Sequence, residues 1–352
     1  MAADNFVIMN GMKVGFKPGE TIVEAARRSG IYIPTLCHLP GVEATGACRV
    51  CVVEIKGARN LVASCAAPAS PGMEISTCSE RVFKARRLYI ELLLASGHHY
   101  CATCEASGEC RLQDLAYEYR VETVRFPDSP IRYPLEENDL VLRDFSRCVM
   151  CGRCVQACND VQVNRAISFG YRGVESKIVT AGDLPYRNSD CVFCGECVQV
   201  CPVGALLAAP SRFTGKPGDV AGVKTTCPYC GVGCQMYLHV RNNRVVRVSG
   251  VEGDGPIHGS LCVKGRFGYD FIGDPERLKT PLVRDKGGFR KASWDEALNL
   301  VADKLKAIRE ESGPDAVGVL SSARITSEEN YIAQKFARAA VGTNNIDHCA
   351  RL

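Results

Sequence analysis

Cysteine carries most of the chemistry this sequence could do. The chain has 352 residues and 21 cysteines, and most of those thiols lie two or three residues apart. In a secreted chain that content would suggest disulfides. The opening residues, MAADNFVIMNGMKVGFK, lack a basic segment followed by an apolar one, so no secretory leader is read. Clustered thiols without a leader point to metal binding. Two runs share one spacing. CVMCGRCVQAC holds Cys148, Cys151, Cys154 and Cys158, and CVFCGECVQVCP holds Cys191, Cys194, Cys197 and Cys201. Both are C-x2-C-x2-C-x3-C, offset by 43 residues. Three thiolates that close suit the irons of a cubane better than the tetrahedron of one zinc ion, which commonly takes two separated C-x2-C pairs.

Three further groups follow the same logic. Cys37, Cys48, Cys51 and Cys65 are spaced C-x10-C-x2-C-x13-C. Gly41, Gly46 and Ala47 beside them leave room for backbone N–H groups to approach anionic sulfur. In SGHHYCATCEASGEC, Cys101, Cys104 and Cys110 supply three thiolates, with His98 and His99 just upstream. An imidazole nitrogen could complete that set. CPYCGVGC carries Cys227, Cys230 and Cys234, and Cys262 follows in GSLCVKGRFGYDFI. Nineteen cysteines are thus used. Cys78 and Cys349 remain, and Cys78 reads as a small buried or surface residue.

The elements that must hold these residues are legible. Residues 5–16 read as strand, Asn-Gly turn and strand. ETIVEAARRSG offers Thr21 as helix N-cap with Glu24 three residues on, a capping box, and Gly30 as the stop. Two strands, a helix and a Cys loop running into TGACRVCVVEI make a β-grasp ferredoxin arrangement. ERVFKARRLYIELLLAS reads as a helix with Leu88, Leu92 and Leu93 among its apolar face. QMYLHVRNNRVVRVSG reads as strand, Asn-Asn turn and strand, a hairpin that would return Cys262 to its three partners. SWDEALNLVADKLKAI is an amphipathic helix with Ala297, Leu298, Val301, Leu305 and Ile308 on one side. AVGVLSSAR reads as a buried parallel strand reaching a Ser-rich loop.

Several known families share these motifs. The paired runs resemble two-cluster bacterial ferredoxins, in which the fourth Cys of each run ligates the other cluster. That implies one [4Fe–4S] cluster on Cys148, Cys151, Cys154 and Cys201, and another on Cys191, Cys194, Cys197 and Cys158. Asn159 stands where Pro is usual. The first Cys group resembles the [2Fe–2S] domain of [FeFe]-hydrogenases and of the complex I large subunit. Both families follow it with a [4Fe–4S] site of one His and three Cys. The His there precedes the first Cys by four residues, a position held here by Gly97, so the ligand stays open between His98 and His99. TCPYCGVGCQMYLHV and GSLCVKGRFGYDFI resemble the [4Fe–4S] domain of molybdenum- or tungsten-dependent formate dehydrogenases. The resemblance implies that Lys264 lies between that cluster and a pterin, tuning electron handoff. Residues 277–352 resemble the next part of that family, where Ser321, Ser322, Thr343 and Asn344 are candidates to touch a bis-molybdopterin guanine dinucleotide.

The expected organisation is a multi-module α+β iron–sulfur protein. A β-grasp [2Fe–2S] domain spans 1–80, a His-ligated [4Fe–4S] module 81–120, and a two-cluster ferredoxin domain 138–212. A molybdopterin-type [4Fe–4S] domain spans 220–276, and a partial molybdopterin-binding α/β domain 277–352. One [2Fe–2S] and four [4Fe–4S] clusters would relay single electrons, in sequence order suggesting a chain from the pterin side to the [2Fe–2S] end. In formate dehydrogenases the motif after NNIDHCAR soon reaches a cysteine or selenocysteine metal ligand. That implies a catalytic subunit read only as far as a selenocysteine codon after Leu352, with Mo or W and the pterin held only by the full-length protein. The 76 residues after 276 are too few for a pterin cradle. The resemblance further implies formate or CO2 as substrate of the complete enzyme, and a partner subunit carrying flavin and a NAD(P) site, or ferredoxin. The alternatives are a non-catalytic electron-transfer subunit docking a separate catalytic chain, or an [FeFe]-hydrogenase or complex I large-subunit relative. Net charge is +4 and spread along the chain, which makes no case for nucleic acid. No run approaches 18 apolar residues, so no membrane span and a cytoplasmic location are expected.

Overall fold

The computed structural model describes residues 5–128 and 133–349. The chain divides into two compact units, 1–221 and 222–352.

The first unit opens with β1 (Phe6–Met9) and β2 (Met12–Gly15), paired antiparallel. Asn10 and Gly11 turn between them with φ of 48° and 83°, the left-handed pair a two-residue hairpin requires. Helix α1 (Ile22–Arg28) starts at Thr21, where both halves of the capping box form, and Gly30 follows its end with φ 73°. β3 (Val52–Ile55), β4 (Val62–Ala63) and β5 (Glu74–Ser76) complete a five-stranded sheet in the order β2-β1-β5-β3-β4. β1 and β5 run parallel. Val7, Met9, Ile22, Val23, Val53 and Ile75 form its core against α1, so the β-grasp arrangement is present.

Helix α2 (Glu80–Ala95) corrects one expectation. Its buried stripe is Val82, Arg86 and Ile90, at i, i+4 spacing, while Leu88 and Leu92 are exposed and Leu93 packs against the core as expected. The phase is set by Arg86. Its guanidinium is enclosed, donating to the Val52 carbonyl at 2.7 Å and the Tyr119 hydroxyl at 2.9 Å. A buried cation with donors satisfied holds its place, and Leu88 and Leu92 go to solvent.

Helix α3 (Arg111–Glu118) follows. β6 (Val141–Arg143) then precedes two short helices with cysteines around them, α4 (Arg153–Gln156) and α5 (Glu196–Val200). β7 (Ser168–Gly170) and β8 (Lys177–Val179) form a hairpin, and β9 (Leu206–Ala208) pairs with β6. The modules of this unit are not beads on a string. One core contains Cys37 and Cys48, Ile90 of α2, Leu112 and Leu115 of α3, and Val149, Cys151 and Val203. A second contact joins Leu39 to Ala157 and Val200.

The second unit holds β10 (Ala221–Thr226), β11 (Gln235–Arg241) and β12 (Arg244–Gly250) in one sheet. Asn242 and Asn243 make the turn with φ of 50° and 58°, the expected hairpin. Then come α6 (Val263–Phe267), the hairpin β13 (Leu282–Asp285) and β14 (Gly288–Lys291), α7 (Trp294–Ser312), β15 (Val319–Ser321), α8 (Ser327–Lys335) and β16 (Ile346–His348). β15 and β16 pair parallel, as expected, but β15 is not buried: Leu320 is 90% exposed. No side chain of α7 is buried, and its apolar stripe, including Leu298 and Val301, faces outward. Among the described residues, no helix is long and apolar enough to cross a membrane.

Candidate iron–sulfur centres

The first thiol set is fully enclosed. Cys37, Cys48, Cys51 and Cys65 are all buried, and the Sγ atoms of Cys51 and Cys65 lie 3.3 Å apart. The thiols of Cys48 and Cys65 donate to Cys37, as do the backbone N–H groups of Cys48 and Ala47. These donors hold the Cys37 thiol well below the ordinary thiol range, while Cys48 and Cys65 are pushed up as the partners of that thiolate. Gly46 (φ 62°) and Arg49 (φ 60°) shape the loop so that its amides face inward. Backbone N–H groups aimed at anionic sulfur are what a [2Fe–2S] centre needs.

The second set surrounds a cavity of about 140 Å³ lined by Cys101, Cys104, Cys110 and His99. His98 is not among its walls. A hydrogen bond between the His99 ring and backbone at Leu93 leaves His99 Nε2 buried without a partner. An imidazole fixed through one nitrogen with the other free is the usual posture of a ligating histidine. His98 is also buried, with both ring nitrogens unpartnered, and stacks on Tyr100 at 6.1 Å. Arg147 and Gly204 close the cavity.

The third set crosses the sequence repeat. Cys148, Cys151 and Cys154 of the first run line one cavity with Cys201 of the second, walled by Phe145, Ile178 and Tyr186 among others. Burial pushes the thiols of Cys148, Cys151 and Cys197 up to about 11, 12 and 12. Such thiols lose their protons to a metal rather than to water. The fourth set, Cys191, Cys194 and Cys197, has Cys158 close enough to act on Cys191 and Cys197 electrostatically. The sequence repeat is a backbone repeat. Met150 and Gly152 are left-handed at φ 50° and 78°, and Phe193 and Gly195 at 52° and 72°. Alternation of that kind turns amides toward one point, a cradle for negative charge. The amides of Phe193 and Ala166 donate to Cys191 and Cys158 Sγ, each at 3.4 Å.

The fifth set belongs to the second unit. Cys227 is buried with Met236, Val248 and Leu261, and its amide donates to the Cys234 carbonyl at 2.8 Å. Cys227, Cys230, Cys234 and Cys262 act on one another electrostatically. Gly250 allows the return: a Cβ there would sit 1.7 Å from the Gly259 carbonyl oxygen. Lys264 follows Cys262 in the first turn of α6. Among the described residues, no three His, Cys, Asp or Glu side chains converge as one metal ion would demand.

The four candidate pterin contacts do not converge. The parallel register sets Ser321 opposite His348. Ser321 and Ser322 thus lie at the carboxyl end of the strand pair, where Ser322 Oγ is 3.9 Å from Cys349 Sγ. Thr343 and Asn344 precede β16 at the other end. Thr343 is buried and donates to Asp315 at 2.8 Å. Cys78, left open by spacing, is exposed.

Comparisons with known proteins follow this layout. Residues 7–80 match the 2Fe-2S iron-sulfur cluster binding domain, 86–125 the NADH-ubiquinone oxidoreductase-G iron-sulfur binding region, and 146–205 the 4Fe-4S dicluster domain. Residues 221–274 match the molybdopterin oxidoreductase Fe4S4 domain and 277–352 molybdopterin oxidoreductase itself. A chain of an NAD+-reducing [NiFe]-hydrogenase structure is 34% identical, with a TM-score of 0.57, covering 61% of this chain and 92% of that one. The chain belongs to the iron–sulfur molybdopterin oxidoreductase family, in its NADH-quinone oxidoreductase G and formate dehydrogenase-like branch.

The chain is 39% identical to the NADPH-Fe(3+) oxidoreductase alpha chain of Geobacter sulfurreducens, over 98% of this chain and 40% of that protein. It is 34% identical to an NADH-quinone oxidoreductase G protein of Rhizobium meliloti, over 98% and 40%. It is also 34% identical to YrhE of Bacillus subtilis, provisionally named a formate dehydrogenase, over 98% and 39%. The chain spans about two fifths of the length of these relatives. Relatives named for formate oxidation and for NADH-quinone reduction both match this stretch. Sequence reasoning missed Arg147, which touches the Cys104 thiol although nothing in its local spacing marks it.

Proposed function

We propose that this oxidoreductase chain is an electron conduit built on one [2Fe–2S] and four [4Fe–4S] clusters. The observation that carries this reading is the cavity ringed by Cys148, Cys151, Cys154 and Cys201, in which the fourth thiol comes from the other sequence run. Cys37, Cys48, Cys51 and Cys65 hold the [2Fe–2S] cluster. His99, with Cys101, Cys104 and Cys110, holds the second; His98 shapes the site without ligating. Cys191, Cys194, Cys197 and Cys158 hold the fourth and Cys227, Cys230, Cys234 and Cys262 the fifth. When bound, such clusters take up and release single electrons. The protein's part is to fix the thiolates, supply amide donors and keep water away.

The wider function we infer is exchange of electrons between a molybdopterin site and a flavin- and nicotinamide-binding partner subunit. Formate oxidation or CO2 reduction at Mo or W is our reading of a complete molybdopterin domain, with Lys264 between cluster and pterin. Ser321 and Ser322 are the better placed pterin contacts, because ligands of parallel α/β sheets sit at the carboxyl ends of strands. A second reading is a non-catalytic electron-transfer subunit. The hydrogenase chain favours it, since 92% of that chain is matched by this conduit-bearing stretch. The test is rapid-mixing reduction of the intact, anaerobically purified protein by reduced methyl viologen. Sequential bleaching of cluster absorbance, followed by reoxidation with a nicotinamide-linked flavoprotein, supports the conduit. Absence of any reducible iron–sulfur chromophore contradicts it.

A further inference from the structure

The segment from Asp144 to Cys148 separates two of the thiol sets. Cys148 faces the cavity it shares with Cys151, Cys154 and Cys201. The preceding residue, Arg147, faces the other way, into the cavity of His99, Cys101, Cys104 and Cys110. There Arg147 Nη1 donates to Cys104 Sγ at 3.3 Å. Its Nε is 2.9 Å from Asp144 Oδ2, an ion pair that fixes the guanidinium plane. The Asp144 amide in turn donates to the Ala205 carbonyl at 2.8 Å, tying this arm to the chain after Cys201.

Gly204 completes the contact. A Cβ there would lie 2.6 Å from Cys104 Sγ and 3.6 Å from Arg147 Cδ. The chain just past Cys201 therefore passes so close to Cys104 that only a residue without a side chain fits. One cysteine ligand of the His/Cys3 set is pressed between an arginine adjoining Cys148 and a glycine three residues after Cys201.

We propose that Arg147 sets the potential of the His/Cys3 cluster and couples it to the neighbouring ferredoxin cluster. The proposal rests on the reading of Cys104 as a cluster ligand. A cluster gains one negative charge on reduction. A guanidinium donating to its thiolate stabilises that reduced state more than the oxidised one and raises the potential. Charge-assisted bonds of this kind are among the stronger ones, and here both partners are half-buried. The same residue provides a short covalent and hydrogen-bonded link from Cys104 Sγ to Cys148. In the exchange one cluster loses an electron as the other gains it; no proton or atom moves. Arg147 is a positioning residue, since it acts through Cys104.

The test is an electron paramagnetic resonance redox titration of the intact protein, wild type against Arg147→Gln, Arg147→Lys and Gly204→Ala. The signal of the His/Cys3 cluster is the one altered by His99→Cys. We expect Arg147→Gln to lower its midpoint by about 59 mV or more, a tenfold change in its one-electron equilibrium, with the other signals unmoved. Arg147→Lys keeps the charge without the planar fork and lies between. Gly204→Ala displaces Cys104 and shifts the same signal alone. An unchanged midpoint in Arg147→Gln overturns the proposal. Should that variant fail to assemble the cluster, Arg147→Lys decides: a midpoint equal to wild type overturns it, a lowered one supports it. A wild-type protein with no signal sensitive to His99→Cys removes the ligand reading itself, and the proposal with it.

Discussion

At the residue scale, iron–sulfur ligation is a property of spacing, and spacing is local. The cysteine sets could be read directly because C-x2-C-x2-C-x3-C constrains its own geometry. The histidine could not. His98 and His99 differ by one position, and only the fold, which ties His99 to backbone at Leu93 and places it in the cavity wall, tells them apart. We predict that His99→Ala loses one [4Fe–4S] cluster, while His98→Ala keeps iron and acid-labile sulfide at wild-type content; chemical analysis of both variants checks this. Arg147 was illegible for the same reason, because its partner Cys104 is 43 residues away. A further residue carries a pH prediction. Glu91 is enclosed against Arg125, whose guanidinium and amide donate to it and hold its carboxyl at about 2, below the ordinary 4.5. A depressed carboxylate stabilises the fold above its unfolded value and loses that contribution as pH falls toward the folded one. Acid unfolding of Glu91→Gln should therefore depend less on pH between 4.5 and 2 than wild type, as followed by circular dichroism. Equal slopes would contradict this.

At the scale of elements, caps and turns were legible and packing phases were not. Thr21 and Glu24 form the reciprocal cap that their spacing implies. Thr21→Ala should cost about 1 kcal/mol in chemical denaturation. The Asn-Gly and Asn-Asn turns likewise follow from residue type, since left-handed backbone favours Gly and Asn. For α2 the sequence suggested Leu88, Leu92 and Leu93 as one apolar face, but only Leu93 packs inward, because Arg86 finds two buried acceptors and sets the phase. Leucine periodicity alone carries no information about a polar group that a distant strand can satisfy. Arg86→Ala should therefore destabilise the protein by about 3 kcal/mol, since the buried Val52 carbonyl and Tyr119 hydroxyl both lose the guanidinium donor. Backbone approach is equally hidden in sequence. Gly250 faces the Gly259 carbonyl too closely for any side chain. Gly250→Ala should cost about 3 kcal/mol and diminish the fifth cluster, read from iron content and thermal unfolding.

At the scale of the molecule, sequence order suggested a line of modules, and the first unit is instead a joint core. The [2Fe–2S] loop reaches both α3 and the ferredoxin helices. Gln156 donates to the Glu43 carbonyl at 2.6 Å, across 113 residues of sequence. Linear reading could not foresee this, because it depends on which apolar surfaces remain after each module has folded. Leu112, at the centre of the shared core, is 1% exposed. Leu112→Ala should cost about 3 kcal/mol and lower the thermal transition of the [2Fe–2S] and ferredoxin regions together; two transitions moving independently in calorimetry would refute the joint core. The apolar stripe of α7 was legible as a stripe, and none of its side chains is buried. The set of five clusters is tested most directly by Mössbauer spectroscopy of the intact protein, grown on 57Fe and purified without oxygen. The predicted spectrum holds one [2Fe–2S] component and four [4Fe–4S] components in the corresponding iron ratio. Iron confined to isolated tetrahedral sites, or zinc in its place, would contradict it.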